Sequence, residues 1–199
     1  MQQKDKGPRV RKIPPGDTHE RLVCPECDFI AYENPKIVNV VVATHINKNT
    51  GEEEFLLCKR AIEPVGKWTI PGGYMENGES LKKGTLREAF EEATARPKIG
   101  ELIAIYQPPS KHEVIMIFRG TLRKRKAAPG IESQAVGFFK WDDIPWKELA
   151  FPFVEDALKA YKKHKGKKDF QPEIILGKKA YVPPKPENDN CCKKKPPSP

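Results

Sequence analysis

The segment from Ser80 to about Thr94 carries two patterns on one period. Leu81, Leu86, Ala89, Phe90 and Ala93 recur at the i, i+3, i+4 spacing of an apolar helix face. Ser80 stands where a capping side chain meets an orphan backbone N–H. Glu88, Glu91 and Glu92 then place three carboxylates within five residues, with Glu88 and Glu92 on one face at i, i+4. Like charges at that spacing cost a helix roughly a few tenths of a kcal/mol. A solvated acidic face tolerates this cost, and so does a face that gathers carboxylates around a cation. On the helix alone both stay open, and both expect the glutamates on a wet face.

The preceding residues narrow the choice. Pro71-Gly72-Gly73 bends the backbone sharply and lets it approach another group closely. A backbone carbonyl offered by this Gly-Gly turn beside clustered glutamates is the hard oxygen set that Mg²⁺ takes. Glu79 lies eight residues before Arg87 and is placed for an ion pair tying the loop to the helix.

Around this helix the chain mixes strands and helices without a regular βαβ repeat. Strands are expected at Ile37–Thr44, Phe55–Cys58, Leu102–Tyr106, Val114–Leu122 and near Ala135–Trp141, and a second amphipathic helix over Phe153–Lys163. The Asn47–Gly51 turn makes the first two a hairpin. Cys58, among apolar strand neighbours, reads as a buried core thiol. The fold class expected is α/β, a mixed sheet between helices.

Charge and composition bound the partners. The net charge of +9 suggests a nucleic-acid binder until it is located. From Lys159 onward there are 12 lysines and 4 acids, so residues 1–158 carry only about +1. The basicity therefore sits in a tail that could attract acidic partners, and the domain itself shows no basic excess. No run reaches the roughly 18–20 apolar residues of a membrane span, and Met1–Lys12 has no apolar stretch of a secretory signal. The five unevenly placed cysteines do not read as a disulfide frame. A cytoplasmic location is expected, or an organellar one if the N-terminus is a targeting segment.

The spacing of Gly73, Glu79, Arg87, Glu88, Ala89, Glu91 and Glu92 resembles the Nudix signature, G-x5-E-x7-R-E-U-x-E-E-x-G-U. Every charged position matches. Ala89 and Ala95 are small for the bulky aliphatic positions, and Thr94 replaces the closing glycine. The likeness continues through Arg21–Cys27, Tyr32-Glu33-Asn34-Pro35-Lys36, Leu56–Arg60, Glu132-Ser133, Asp142–Trp146 and Leu149-Ala150-Phe151. These resemble a subfamily with an N-terminal zinc ribbon that acts on FAD and ADP-ribose.

The resemblance implies an α/β/α sandwich and metal-dependent hydrolysis of a nucleotide diphosphate, most readily FAD or ADP-ribose with release of AMP. Glu88, Glu91, Glu92 and the Gly72 carbonyl would hold Mg²⁺ or Mn²⁺. Arg87 would orient the glutamates through Glu79. Glu132 is the candidate base, although the family's second glutamate is replaced by Ala135. Arg60 and Trp68 are candidate substrate contacts, and Tyr106 and Phe118 are further aromatic candidates. Cys24 and Cys27 are half of a four-ligand zinc site with no second Cys-x2-Cys pair upstream. His19 does not hold a ligand position, and Cys191 and Cys192 lie in the tail, so a zinc-ribbon remnant is expected, not an intact site. The domain boundaries expected are a flexible lead-in at 1–20, the ribbon remnant at 21–36, the hydrolase domain at 37–168 and a disordered tail at 169–199. An NADH diphosphatase and a non-catalytic Nudix-fold binding or regulatory protein are the alternatives; a homodimer is left open.

Overall fold

The computed structural model describes residues 7–108 and 112–177. Its contacts divide the chain into two units, residues 1–35 and residues 36–199.

The first unit is a three-stranded antiparallel sheet of β1 (Val10–Lys12), β2 (Arg21–Val23) and β3 (Ile30–Ala31). Val10 pairs with Val23, and Leu22 with Ala31. Asp17 turns the chain between β1 and β2, accepting from the Thr18 and His19 amides and from Arg21. The sequence expectation of a flexible lead-in through residue 20 is corrected here, because β1 falls inside it. Between β2 and β3, the Cys24 amide donates to Phe29 and the Asp28 amide to Cys24. Asp28 takes the left-handed conformation, φ 56°, that closes this turn.

The second unit is built on a mixed sheet. Its strands are β4 (Lys36–Ile46), β5 (Glu53–Arg60), β6 (Trp68–Thr69), β7 (Gly72–Tyr74), β8 (Lys98–Gln107), β9 (Glu113–Leu122), β10 (Ser133–Lys140) and β11 (Glu173–Leu176). The spatial order is β10-β5-β4-β9-β8-β11, with β6 on β5 and β7 on β4. Two helices, α1 (Leu81–Ala93) and α2 (Pro152–His164), cover it. Alternation along the strands assigns their faces. Val41, Ala43, Leu56 and Cys58 pack with Ala89 and Ala93 of α1. Val40, Val42, Phe55 and Leu57 pack with Val154, Ala157 and Leu158 of α2. The result is the α/β/α sandwich, with Cys58 buried as its neighbours suggest.

One irregularity positions everything that follows. β4 pairs with β5 only through Thr44–Ile46 and with β7 through Val38–Val40. The sheet splits between β4 and β5, and the β6–β7 segment fills the split, tied by the Val41 amide to the Pro71 carbonyl at 3.0 Å.

The tail expectation also needs correcting. Glu173–Leu176 is ordered as β11, parallel to β8 from Glu173↔Ala104 to Leu176↔Gln107. Glu173 accepts from His164 and pairs with Lys163, and Phe170 stacks on the His164 ring at 4.3 Å. Residues 178–199 lie outside the described residues. No described helix is long and apolar enough to cross a membrane.

Candidate active site

Helix α1 begins as its sequence requires. The Ser80 hydroxyl accepts from the Lys83 amide, and Gly84 is buried where Glu79 and Asn39 leave no room for a Cβ. Its far end departs from the family pattern without losing the turn. Thr94 adopts φ 50° and donates its amide to Phe90 at 2.8 Å. A non-glycine residue in that region costs roughly 1–2 kcal/mol. The Thr94 hydroxyl bonds the Ala128 carbonyl at 3.0 Å, which offsets part of this.

The faces of α1 differ from the expected stripe at two positions. Phe90 is exposed, with the Arg96 guanidinium 4.2 Å from its ring. Glu92, expected on a wet face, is only 6% exposed. The reason is the split in the sheet. Glu92 projects into it and accepts the Gly72 amide at 3.0 Å. Gly72 must be glycine, since a Cβ there would stand 2.4 Å from the Asn39 backbone carbonyl; at Gly73 a Cβ would only displace the Glu88 carboxylate.

Arg87 joins the loop to the helix. Its Nε and Nη2 donate to Glu79 at 3.2 and 2.9 Å, and Nη2 also donates to the Tyr74 carbonyl. Its Nη1 donates to Glu88 at 2.7 Å and Glu91 at 2.9 Å. Glu79 is held below its usual pKa by Arg87, and Arg87 is held above its own by Glu79. Glu88 moves the other way, raised chiefly by burial and despite Arg87. Glu92 is pushed to about 7, first by burial, then by the charges of Glu88 and Glu132.

The loop before β10 closes onto the end of α1. The Gly130 amide donates to the Glu92 carbonyl and the Ala128 amide to the Ala93 carbonyl. A Cβ at Gly130 would overlap the Glu91 carbonyl at 1.6 Å. This contact brings Glu132 into the lining of a cavity of about 510 Å³. Gly72, Glu88, Glu91, Glu92, Arg87, Arg60 and Glu132 all line it. Arg60 donates to the Glu63 carbonyl, and its guanidinium lies 5.0 Å from the Phe151 ring. Trp68 is not among the lining residues. Its ring packs edge-on against Phe139 at 4.9 Å, while its carbonyl accepts from the Ala150 amide. Tyr106 reaches the cavity wall, and Phe118 is buried away from it.

A model of the NUDIX domain matches residues 36–163. The chain belongs to the Nudix family. A second model, of the zinc-ribbon Nudix N-terminal segment, matches residues 6–33. The crystal structure of a Nudix hydrolase from Nitrosomonas europaea is 42% identical, with a TM-score of 0.74, over 89% of this chain and 98% of that one. An ADP-ribose pyrophosphatase from Methanocaldococcus jannaschii is 29% identical over 119 residues, 57% of this chain and 69% of the relative. A putative 8-oxo-dGTP diphosphatase from Bacillus subtilis is 31% identical over 90 residues, 45% of this chain and 57% of the relative. The chain is accordingly a Nudix hydrolase acting on pyrophosphate bonds.

Nudix hydrolases use divalent metals such as Mg²⁺ or Mn²⁺, and the cavity can be tested for them. Among the described residues, no three His, Cys, Asp or Glu side chains are grouped to hold an ion as they stand. In α1 the reason is visible: the Arg87 guanidinium stands between Glu88 and Glu91. The chemistry of the donors nevertheless fits. They are hard oxygens, and Glu88 and Glu92 are gathered in a partly buried site where burial raises both pKa values and a cation would favour the charged forms. The zinc-ribbon unit gives the opposite answer. Cys24 and Cys27 are two ligands where tetrahedral zinc takes four. The Cys24 thiol instead donates to Glu26, which is ion-paired with Arg9.

The sequence did not single out Tyr74, Glu76, Glu113, Phe151 or Phe153 as site residues, yet all line the cavity. Phe151 and Phe153 flank Pro152 at the start of α2. Apolar residues beside a helix start read as core, so no local signal marked them.

Proposed function

We propose that this Nudix hydrolase cleaves the diphosphate of FAD or ADP-ribose and releases AMP. One observation carries the proposal: Glu88, Glu91, Glu92 and Glu132 converge on one cavity that also holds Arg60 and Arg87. The named activity of the archaeal relative supports ADP-ribose.

Glu88, Glu91 and Glu92, with the Gly72 carbonyl, would hold Mg²⁺ or Mn²⁺. When bound, such ions neutralise diphosphate charge and lower the pKa of water. Arg87 keeps the α1 carboxylates aligned against the β7 turn, and Arg60 contacts a phosphate oxygen. Glu132 accepts the proton of the attacking water as its oxygen bonds to phosphorus. The bridging P–O bond breaks, leaving AMP and either FMN or ribose 5-phosphate. A positioned base contributes typically about 10²–10⁴-fold, so Glu132→Gln should lower kcat within that range.

Steady-state assays with Mg²⁺ and with Mn²⁺ should compare FAD, ADP-ribose, NADH, diadenosine polyphosphates and capped RNA, with products separated by chromatography. Activity should vanish in chelator. Full turnover in excess chelator would overturn the mechanism. A lead of NADH or capped RNA by more than about tenfold, roughly 1.4 kcal/mol in transition-state stabilisation, would overturn the choice of substrate.

A further inference from the structure

The first unit has almost no core of its own. Among its described residues only Pro14, Val23 and Cys24 are buried, and its strands have three, three and two residues. A unit of fewer than about 40 residues is normally held by a metal, by disulfides or by association. The family segment that it matches is a zinc ribbon.

Zinc does not fit the residues present. Cys24 and Cys27 are two ligands where four are needed, and no third His, Cys, Asp or Glu joins them among the described residues. The unit's one histidine, His19, bonds the Thr18 hydroxyl and lies 3.9 Å from Asp17.

The two cysteines share one tight turn. The Asp28 amide donates to the Cys24 carbonyl at 2.9 Å, and the Cys24 amide donates to Phe29 at 2.8 Å. Residues three apart in a turn of this helical type face the same side. The Cys27 amide and side chain both reach the Cys24 sulfur. The β-carbons of such a pair lie roughly 5–6 Å apart and a disulfide needs about 3.5–4.5 Å, so a shift of about 1–2 Å closes the bond. Residues 25–29 are all exposed, so nothing packed over the turn opposes that shift.

The two thiols differ in access. Cys27 is exposed and Cys24 is buried. The Cys24 thiol donates to Glu26 at 3.1 Å, and Arg9 donates to the same carboxylate at 2.9 Å. Arg9 pushes the Glu26 carboxyl down to about 2, so Glu26 orients the thiol and does not take its proton. Cys58 is enclosed in the core of the second unit and offers no alternative partner.

We propose that Cys24 and Cys27 are a thiol–disulfide exchange site, and that a reversible disulfide between them clamps the turn in place of zinc. The oxidant is the disulfide of a small thiol such as glutathione. The exposed Cys27 sulfur attacks one sulfur of that disulfide, its S–S bond breaks, and one glutathione thiolate leaves. The Cys24 sulfur then attacks Cys27 Sγ and displaces the second glutathione. The two departing thiolates take up the protons that Cys27 and Cys24 release. Two protein thiols are oxidised, and one small disulfide is reduced to two thiols. The bond reverses readily, because exposed disulfides are the more reducible ones.

The test reads the cysteines directly and does not depend on hydrolysis. The full chain is incubated with oxidised glutathione, the remaining thiols are alkylated, and the tryptic peptides are weighed. Cleavage after Arg21 and Lys36 gives residues 22–36, which contain Cys24 and Cys27 and no other cysteine. That peptide should be lighter by two hydrogen atoms and carry no alkyl group. Excess reduced glutathione should return it to the doubly alkylated form. Cys24→Ala should leave a lasting glutathione adduct on Cys27, and Cys27→Ser should leave the buried Cys24 without one. If Cys24→Ala does not fold, Cys27→Ser and the unaltered chain decide the matter. Two alkylated cysteines after oxidation, a persistent glutathione adduct in the unaltered chain, or a cross-link to Cys58, Cys191, Cys192 or a second copy would overturn the pairing. So would zinc in the protein as purified, at one ion per chain or per pair of chains, that alkylation of the thiols releases.

Discussion

The Gly72 amide donates to the Glu92 carboxylate at 3.0 Å inside a split in the sheet. That hydrogen bond and the more distant charge of Arg60 do not offset burial, which has pushed the pKa of this nearly buried carboxylate to about 7 from 4.5. The native state therefore binds a proton at Glu92 that the unfolded chain has released. Stability from this group is full below pH 4.5 and is lost as pH rises to about 7. Glu88 is shifted in the same direction. The metal-free protein should lose stability on the order of 2–3 kcal/mol between pH 5 and 8. Glu92→Gln keeps an acceptor for Gly72 and has no charge to bury, so it should stay folded and show a flatter profile. Thermal melts in chelator across that range check this. An equally steep profile in the variant would assign the pH dependence elsewhere.

Much of this site was legible in the sequence because charged residues at fixed helical offsets leave little freedom. Ser80 caps, Glu79 meets Arg87, and the three glutamates share one end of a helix. What stayed hidden depends on non-local placement. Glu92 is buried and Phe90 exposed because of where β4 and β5 part, which no local pattern encodes. Trp68 reads as a ring for stacking, yet it packs on Phe139 and contributes its carbonyl instead. β11 was missed because a four-residue strand amid Lys and Pro gains its stability from pairing with β8, not from its own composition.

That strand changes where the chain can be cut. A chain ending after Lys168 lacks Phe170, Glu173 and the parallel pairing with Ala104–Gln107. Several net backbone hydrogen bonds at about 0.5–1.5 kcal/mol each are at stake. A chain ending after Gly177 keeps all of them. The first should melt several degrees lower than the second, and the second should match the full chain in melting and in hydrolysis of small nucleotides. Equal melting temperatures for the two cuts would show that β11 contributes nothing.

Gly130 offers a test of how Glu132 is delivered. A methyl group there collides with the Glu91 backbone carbonyl, which cannot move without disturbing α1. The loop must lift instead, taking Glu132 away from the cavity. Gly130→Ala should remain folded, because Gly130 itself belongs to neither core cluster, but kcat should fall about as far as in Glu132→Gln. The double variant should be little worse than either single one, as expected of residues acting through one step. Full additivity would mean that the two act separately.

Arg87→Lys isolates geometry from charge. Arg87 makes five hydrogen bonds with three nitrogens, to Glu79, Tyr74, Glu88 and Glu91. Lysine keeps the positive charge but brings all its donors to one point, so it cannot hold Glu79 on one side and Glu88 and Glu91 on the other. The fold should survive, because the guanidinium lies at the cavity and not in the packed core. The carboxylates should lose their alignment, and a misplacement of about 1 Å at a reacting centre costs about 10²-fold in rate. If Arg87 positions the α1 carboxylates, the metal concentration giving half-maximal activity should rise along with the fall in kcat, while AMP affinity in chelator stays the same. If Arg87 served only to balance charge, lysine would preserve both kcat and the metal dependence. Near-normal kinetics in Arg87→Lys would therefore remove Arg87 from its positioning role.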